Sequence, residues 1–588
     1  MVSEIDRWRQ AALAVLRKSG RAGPGHTGGD VDELLSHTTD DGITVRPLYA
    51  GAADVRPTGV RAGPWEVRQW HADPDPAAIG ADVANGVTGL WLSLGEDVID
   101  LDRLDEALTG VPLDRVAVVL DAPTRPADAA ATWLALAGRR AVPPGRLRGT
   151  LGVDPLAVRA RTGQPADPGT LADLARRCAA ELPGLRAVVV DATVHHDAGA
   201  SGADELAAAL ATGVAYLRVL TTAGLGVTAA LAQLEFRYAA TTDQFATITK
   251  LRAARRLWAR VADACGARGH GVQRQHAVTS AVMMTARDPW TNILRTTIAG
   301  FAAAVAGADA ITVRPFDTCL GPPGDTARRL ARNTHAVLRE EAHLARVADP
   351  AAGSWYVESR TEALALRAWD RFTEIERAGG MASALDSGLL ADRYAETWHA
   401  RSDRIARRSA PITGVSEFPD LDEPRPARRT VPPAPPPDGG LPVRRHAAVF
   451  EDLRDRADAY AERTGARPVV LLVPVGAPAA RRARQAFVVN LFAAAGITVA
   501  AAGDDADPET VAKALLDSGS RVACLCGPDT GYAAVAGPIA AALRSAGAVR
   551  LWCAGSPGDH PGIDGYLHTG CDVVAALAVT LTDLGVTR

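Results

Sequence analysis

Two adjacent histidines, His195 and His196, follow an apolar run that ends at Asp191. An imidazole can donate or accept a hydrogen bond, so either ring is a candidate donor to a bound carbonyl. The competing reading is a pair of loop histidines without chemistry. Cys524 and Cys526 form a C-x-C pair inside another apolar run. That is not the C-x-x-C spacing of a zinc or dithiol site, and it predicts core strand residues instead of metal ligands. No histidine lies between His446 and His560. The loop 474–484 inside that interval carries Arg481, Arg482 and Arg484, and a guanidinium stays protonated with no lone pair for a metal.

The elements that must position these residues alternate along the chain. Apolar runs at 90–94, 116–120, 149–153, 187–191, 215–220, 271–276, 310–314 and 344–348 are mostly rich in Val, Leu and Ile without polar alternation. Such runs predict strands buried on both faces of a parallel sheet. Leu251, Ala254, Trp258, Val261 and Cys265 share one helical face, as do Leu364, Ala368, Phe372 and Ile375. Eight strands with interleaved helices predict an α/β fold, a (β/α)8 TIM barrel over 81–415. Runs at 468–473, 497–501, 522–526 and 549–554, with helical stretches at 479–495 and 508–518, predict a flavodoxin-like, doubly wound α/β domain over 467–588. Between them, 416–466 reads as a linker plus a short helix. Nine prolines fall between Pro419 and Pro442, which excludes a helix or a central strand there. Residues 1–80 read as a Pro/Gly-rich arm with no core of its own, suited to wrapping a partner.

Composition narrows the class. A net charge of -4 and the lack of a dense basic run argue against a nucleic-acid partner. The first residues have charge but no apolar h-region, and no run approaches a membrane span, so neither a signal peptide nor a membrane is expected. Seven sparse cysteines favour a reducing, cytoplasmic setting over a disulfide framework.

Several motifs then converge. Pro64-Trp-x-x-Arg-Gln69, the helix from Lys250 to Ala259, Asp288-Pro-Trp-Thr-Asn292 with Arg295-Thr296, Ala331-Arg-Asn-Thr334, Asp349-Pro-x-x-Gly-Ser-x-Tyr-Val-Glu358 and Ile375-Glu-x-x-Gly-Gly-Met381 occur in that order. They resemble the cobalamin-dependent acyl-CoA mutases, whose layout is a barrel joined by a long linker to a cobalamin-binding-type domain. The resemblance runs from about residue 60 to the C-terminus. Within that family it is closest to the small subunit of heterodimeric methylmalonyl-CoA mutases.

The departures from the family pattern are what the resemblance makes informative. Active members carry a Tyr-His pair after strand four, in an S-G-Y-H-x-x-E-A-G-A context. With the E-A-G-A anchor aligned on Asp197-Ala-Gly-Ala200, the pair falls on Thr193 and Val194, and valine donates no hydrogen bond. A one-residue slip on a strand would turn His195 to the other face. The family's radical-shielding Tyr is Trp70 here, and the arginine that clamps the substrate carboxylate falls near Gly169. Arg68 and Arg274 remain at positions that contact coenzyme A in active members. The D-x-H-x-x-G signature, whose His is the lower cobalt ligand, is missing, with Arg481 near the ligand position. Of the paired glycines that cradle the cofactor tail, only Gly555 remains, after Ala554. The resemblance therefore implies no catalytic residue, no metal and no cofactor on this chain, with adenosylcobalamin in a homologous catalytic large subunit that forms a heterodimer with it. The alternatives are a self-sufficient mutase using His195 or His196, and a regulatory or chaperone-like module that docks transiently.

Overall fold

The structure, a computed structural model, describes residues 4–51, 63–165, 167–424, 439–503 and 507–587. Eight parallel strands close into a barrel: β1 (Glu66–His71), β2 (Gly89–Ser93), β3 (Ala117–Asp121), β4 (Gly149–Val153), β5 (Leu185–Asp191), β6 (Leu234–Ala240), β7 (Arg274–Thr279) and β8 (Ala310–Thr312). Closure is made by Ala310 and Ile311 of β8 pairing with Glu66 and Val67 of β1. Helices between the strands bury the outward apolar side chains in one continuous core, which includes Leu251, Ala254, Trp258 and Val261 of the helix Gln244–Ala264. Cys265 caps that helix and is exposed.

The expected barrel stands, but two of its strands are not those read from the sequence. The run 215–220 lies inside the helix Gly202–Thr222, and 344–348 contains only the short 3-10 turn Leu344–Arg346. A short apolar run does not by itself separate a strand from a buried helical turn. The two strands overlooked, β1 and β6, are Glu-Val-Arg-Gln-Trp-His and Leu-Glu-Phe-Arg-Tyr-Ala-Ala, which carry charged residues into the barrel. Because β1 starts at Glu66, the barrel begins before residue 81, inside the segment read as an arm.

That segment also has a small core of its own. Leu13 and Leu16 of the helix Glu4–Lys18 pack with Ala22 and Val31. A hairpin of His37–Thr38 with Thr44–Val45 is tied to the chain's own barrel side. Asp41 accepts a hydrogen bond from the Ala203 N–H at 2.7 Å, and Asp40 pairs with Arg401 at 2.7 Å.

The second unit is a five-stranded parallel sheet: β9 (Val469–Pro474), β10 (Thr498–Ala501), β11 (Val522–Cys526), β12 (Arg550–Ala554) and β13 (Gly565–Leu567). Its order, β10-β9-β11-β12-β13, is the 2-1-3-4-5 order of flavodoxin-like sheets. Strand β13 had no sequence signal, being three residues of glycine-led chain. Cys524 and Cys526 are buried free thiols in β11, as core strand residues should be.

Most of the proline run, 425–438, lies outside the described residues. The chain after it seats on the barrel: the N–H groups of Leu441, Arg444 and His446 donate to the carbonyls of Ala160 (2.7 Å), Asp197 (2.8 Å) and Val282 (3.1 Å). The helix Ala448–Thr464 then continues this contact, with Arg287 of the barrel bound to Asp458 at 2.7 Å and to Asp455.

Candidate functional site at the mouth of the barrel

In barrels of this kind chemistry sits at the C-terminal ends of the strands. Asp191, the last residue of β5, is buried there between two guanidiniums, Arg161 at 2.5 Å and Arg237 at 3.1 Å. The two cations hold its carboxyl well below the usual carboxylate range, despite burial. Arg237 also donates from Nε to His276 Nδ1 at 3.2 Å, which leaves the His276 proton on Nε2, 2.8 Å from Thr312 Oγ1. The same guanidinium lies 4.1 Å from the centre of the Trp91 ring. Trp91 Nε1 donates to Asp121 at 3.2 Å and Trp70 Nε1 to Ser93 at 2.9 Å. These side chains of the mouth thus satisfy one another.

The opposite end of the barrel is filled in the same way. Glu235 of β6 receives Arg68 of β1 at 2.5 Å and Arg274 of β7 at 3.2 Å, and Glu66 receives the same two arginines at 2.8 and 3.1 Å. Arg68 is wholly buried. These are the two arginines which the family resemblance marked for coenzyme A; here both are spent on carboxylates of the same chain.

The other residues singled out in the sequence fall as follows. Thr193, Val194, His195 and His196 lie on a short helix, Thr193–Asp197, so the strand-parity argument against a one-residue shift does not apply. Thr193 donates from Oγ1 to Asp191 at 2.5 Å. Val194 is buried against Ala157 and Ala160. His195 and His196 are buried and partnered and are not loop residues: His195 Nδ1 lies 3.2 Å from the Tyr394 hydroxyl, and His196 Nε2 lies 2.8 Å from Ser280 Oγ. Burial lowers the His195 pKa to about 4 and takes His196 well below its ordinary value. His196 lines a cavity of about 350 Å³ together with Glu205, Lys250, Arg401 and His446, and there Lys250 is bound to Glu205. Gly169 opens the helix Gly169–Glu181 and brings no cation; Arg161, eight residues earlier, reaches the mouth but is bound to Asp191.

Placing an imidazole at position 194 is expected to cost about 1–3 kcal/mol, because the ring would enter a site packed by Ala157, Ala160, Leu385 and Leu441. Urea unfolding of Val194→His checks this, and an unchanged midpoint would mean that the ring had found a hydrogen bond.

In the second unit, ligands of such sheets bind in the crevice beyond the C-terminal strand ends. Arg481 is buried at that edge and donates to the Gly476 carbonyl at 2.7 Å. Arg484 crosses the crevice to the Gly527 carbonyl at 2.5 Å and to Asp529 at 2.6 Å. A methyl group on Gly555 would sit 2.2 Å from Asp529 Oδ1 and 2.8 Å from the Arg484 guanidinium. The glycine makes room for that ion pair. Neither guanidinium has a lone pair to give a metal, and both are engaged with this chain's own oxygens, so these two side chains do not fit an axial ligand of cobalamin. Among the described residues no cluster of His, Cys, Asp and Glu is arranged to hold a metal.

Acid should unfold the chain from an unusually high pH. His195, His196, His276 and His335 are buried with lowered pKa values, His335 to about 3. Each takes up its proton on unfolding once the pH falls below about 6.5, so stability declines as pH falls. Asp154 and Asp197, raised by burial to about 6 and about 7, release protons on unfolding in the same window and oppose this. His446, lowered to about 4, joins the histidines, while Asp204, Glu205 and Glu423 are raised less than Asp154 and Asp197 and oppose them mainly at lower pH, giving an expected slope of about 1–3 kcal/mol per pH unit between pH 6.5 and 5. Below about pH 4 the lowered carboxyls of Asp191 and Glu235 steepen it. Denaturant midpoints across pH 5–7 test the sign; a flat profile contradicts it.

The comparisons with known proteins agree with the sequence resemblance. Residues 54–435 match the family model described as methylmalonyl-CoA mutase. The chain is 52% identical to the methylmalonyl-CoA mutase small subunit of Streptomyces virginiae, over 99% of this chain and 97% of that protein. It is 44% identical to the probable methylmalonyl-CoA mutase small subunit of Mycobacterium tuberculosis H37Rv, over 98% and 97% of the two chains. It is 38% identical to the methylmalonyl-CoA mutase small subunit of Propionibacterium freudenreichii subsp. shermanii, over 99% and 95%.

Proposed function

Because this chain belongs to the methylmalonyl-CoA mutase family, we propose that it is the non-catalytic small subunit of a heterodimeric methylmalonyl-CoA mutase. A homologous large subunit binds adenosylcobalamin and converts methylmalonyl-CoA to succinyl-CoA, and this chain stabilises it. The observation that carries this reading is the barrel interior. Asp191, Arg161, Arg237, His276 and Trp91 occupy the mouth, and Arg68, Arg274, Glu66 and Glu235 occupy the other end. Buried ion pairs of this quality are costly to open, since removing one partner strands the other. The position of the family's catalytic His is an alanine-packed valine, and the two neighbouring imidazoles are buried, neutral and engaged. Those facts weigh against a self-sufficient enzyme. Names of relatives that say small subunit support a permanent partner over a transient one. Free thiols at all seven cysteines accord with a reducing, cytoplasmic setting. No helix among the described residues is long and apolar enough to cross a membrane.

The test is co-expression with the large homologue. A one-to-one complex should survive size exclusion at micromolar concentration, with roughly 2,000 Å² or more buried. In that complex, replacing the large subunit's catalytic His should lower succinyl-CoA formation by the roughly 10²–10⁴-fold that such a donor contributes, with no share rescued by this chain. Separation of the chains, or turnover sustained by this chain alone, overturns the proposal.

A further inference from the structure

One cation at the barrel mouth is left over. Arg314 follows β8, anchored through its backbone N–H to Thr279 Oγ1 at 2.8 Å. Its guanidinium lies 5.8 Å from the centre of the Trp70 ring and 5.9 Å from that of Trp91, so it leans inward across the mouth. Among the described residues its side chain makes no hydrogen bond and no ion pair, and its Nε is shut off from solvent without a partner. The remaining two nitrogens are not shut off in this way, and the residue as a whole is half-buried. The nearby acids are committed elsewhere: Asp191 to Arg161 and Arg237, and Asp121 to Trp91. Asp197 is the acid whose field Arg314 feels most, yet the two are not in ion-pair contact. Asp197 is itself half-buried, and burial raises its carboxyl to about 7, so near neutral pH it offers an O–H donor about as often as a charge.

A guanidinium in such surroundings is costly without a counter-anion, and its planar fork matches a carboxylate in two-point contact. We propose that Arg314, with the Asp197 carboxyl as a second hydrogen-bonding wall and the Trp70 and Trp91 indoles as the floor, binds a small organic carboxylate at the barrel mouth. This place lies on β8, away from the position near Gly169 where the family resemblance puts a carboxylate-clamping arginine. It does not depend on the chain's being catalytic or not; the anion would be a bound effector or a stabilising ligand.

The experiment is a thermal shift and calorimetric titration of the full-length chain, alone and in complex with its large homologue. Sodium acetate, malonate and succinate are compared with phosphate and chloride at constant ionic strength. At least one carboxylate is expected to raise the melting temperature saturably, as a native-state ligand must, while chloride and phosphate do not. Arg314→Gln should abolish the shift, and without ligand it should melt no lower than the parent, because it removes a partly buried cation that has no ion-pair partner. Arg314→Lys keeps the charge but not the fork and should weaken binding by about tenfold. No carboxylate-dependent shift in the parent overturns the proposal, as does an undiminished shift in Arg314→Gln. An equal response to chloride would mean an adventitious ion only. A response present in the free chain and lost in the complex would assign the site to a side chain of the partner and overturn it as well. A lower melting temperature of Arg314→Gln without ligand, joined to an unshifted parent, would identify Arg314 as a packing residue on the indoles.

Discussion

Glu235→Gln is expected to destabilise the chain by about 3–5 kcal/mol, close to the whole stability of an ordinary domain at the upper end. The substitution preserves shape and removes only charge. In the native chain Glu235 receives Arg68 through two contacts, at 2.5 and 3.3 Å, and Arg274 at 3.2 Å. With the charge gone, both arginines must share Glu66, and Arg68 has no exposure through which water can compensate. Urea midpoints of the two proteins measure the loss. An unchanged midpoint would show that solvent reaches this end of the barrel and that the four charges are not a closed layer.

The second large effect concerns β4. Gly152 has φ of +73°, and a methyl group there would lie 1.8 Å from the Leu120 carbonyl oxygen of β3. The register between β4 and β5 shifts at this point, between Thr150 and Val153. Gly152→Ala is expected to cost about 2–5 kcal/mol, of which about 1–2 is the left-handed backbone and the rest displacement of a neighbouring strand. Gly110 supplies the control, with φ of +77° and nothing within 4 Å of the added methyl. Gly110→Ala should carry the backbone cost alone. Equal melting temperatures for the two variants would refute the clash.

Within the barrel, the contrast between what could and could not be read from the sequence follows mainly from where the charges lie. Strands β2, β3, β4 and β5 were visible because their inward and outward positions are both apolar. Strands β1 and β6 were hidden because Glu66, Arg68, Glu235 and Arg237 point into the barrel, which breaks the apolar run by which a parallel strand is recognised. The predicted total of eight strands survived because two helical or turn segments, 215–220 and 344–348, took the place of the two charged strands. The same charges explain why the filled interior was not foreseen: partnership between residues 167 positions apart, as in Arg68 and Glu235, leaves no local signal. The motifs that carried the family resemblance turn out to be pins of the framework. Asn292 and Arg295 brace the loop around Thr285 and Phe316, Asp349 and Glu358 both bind Arg252, and Trp65 donates to His335 at 3.0 Å. Framework was therefore legible, and the site was legible only as a set of departures.

The triad of Arg161, Asp191 and Arg237 also sets the direction in which this sequence can change. Reopening the mouth one codon at a time means first deleting either the acid, which strands two cations, or a cation, which unbalances the acid. Each such intermediate forfeits about 3–5 kcal/mol of a reserve of roughly 5–15. Paths to an open barrel thus cross genotypes of much reduced stability, whereas paths that vary exposed positions of the helices around it stay on stable ground. The filled barrel works as a ratchet: the interlocked charges make each single step toward an open mouth costly, whatever selection asks of the chain.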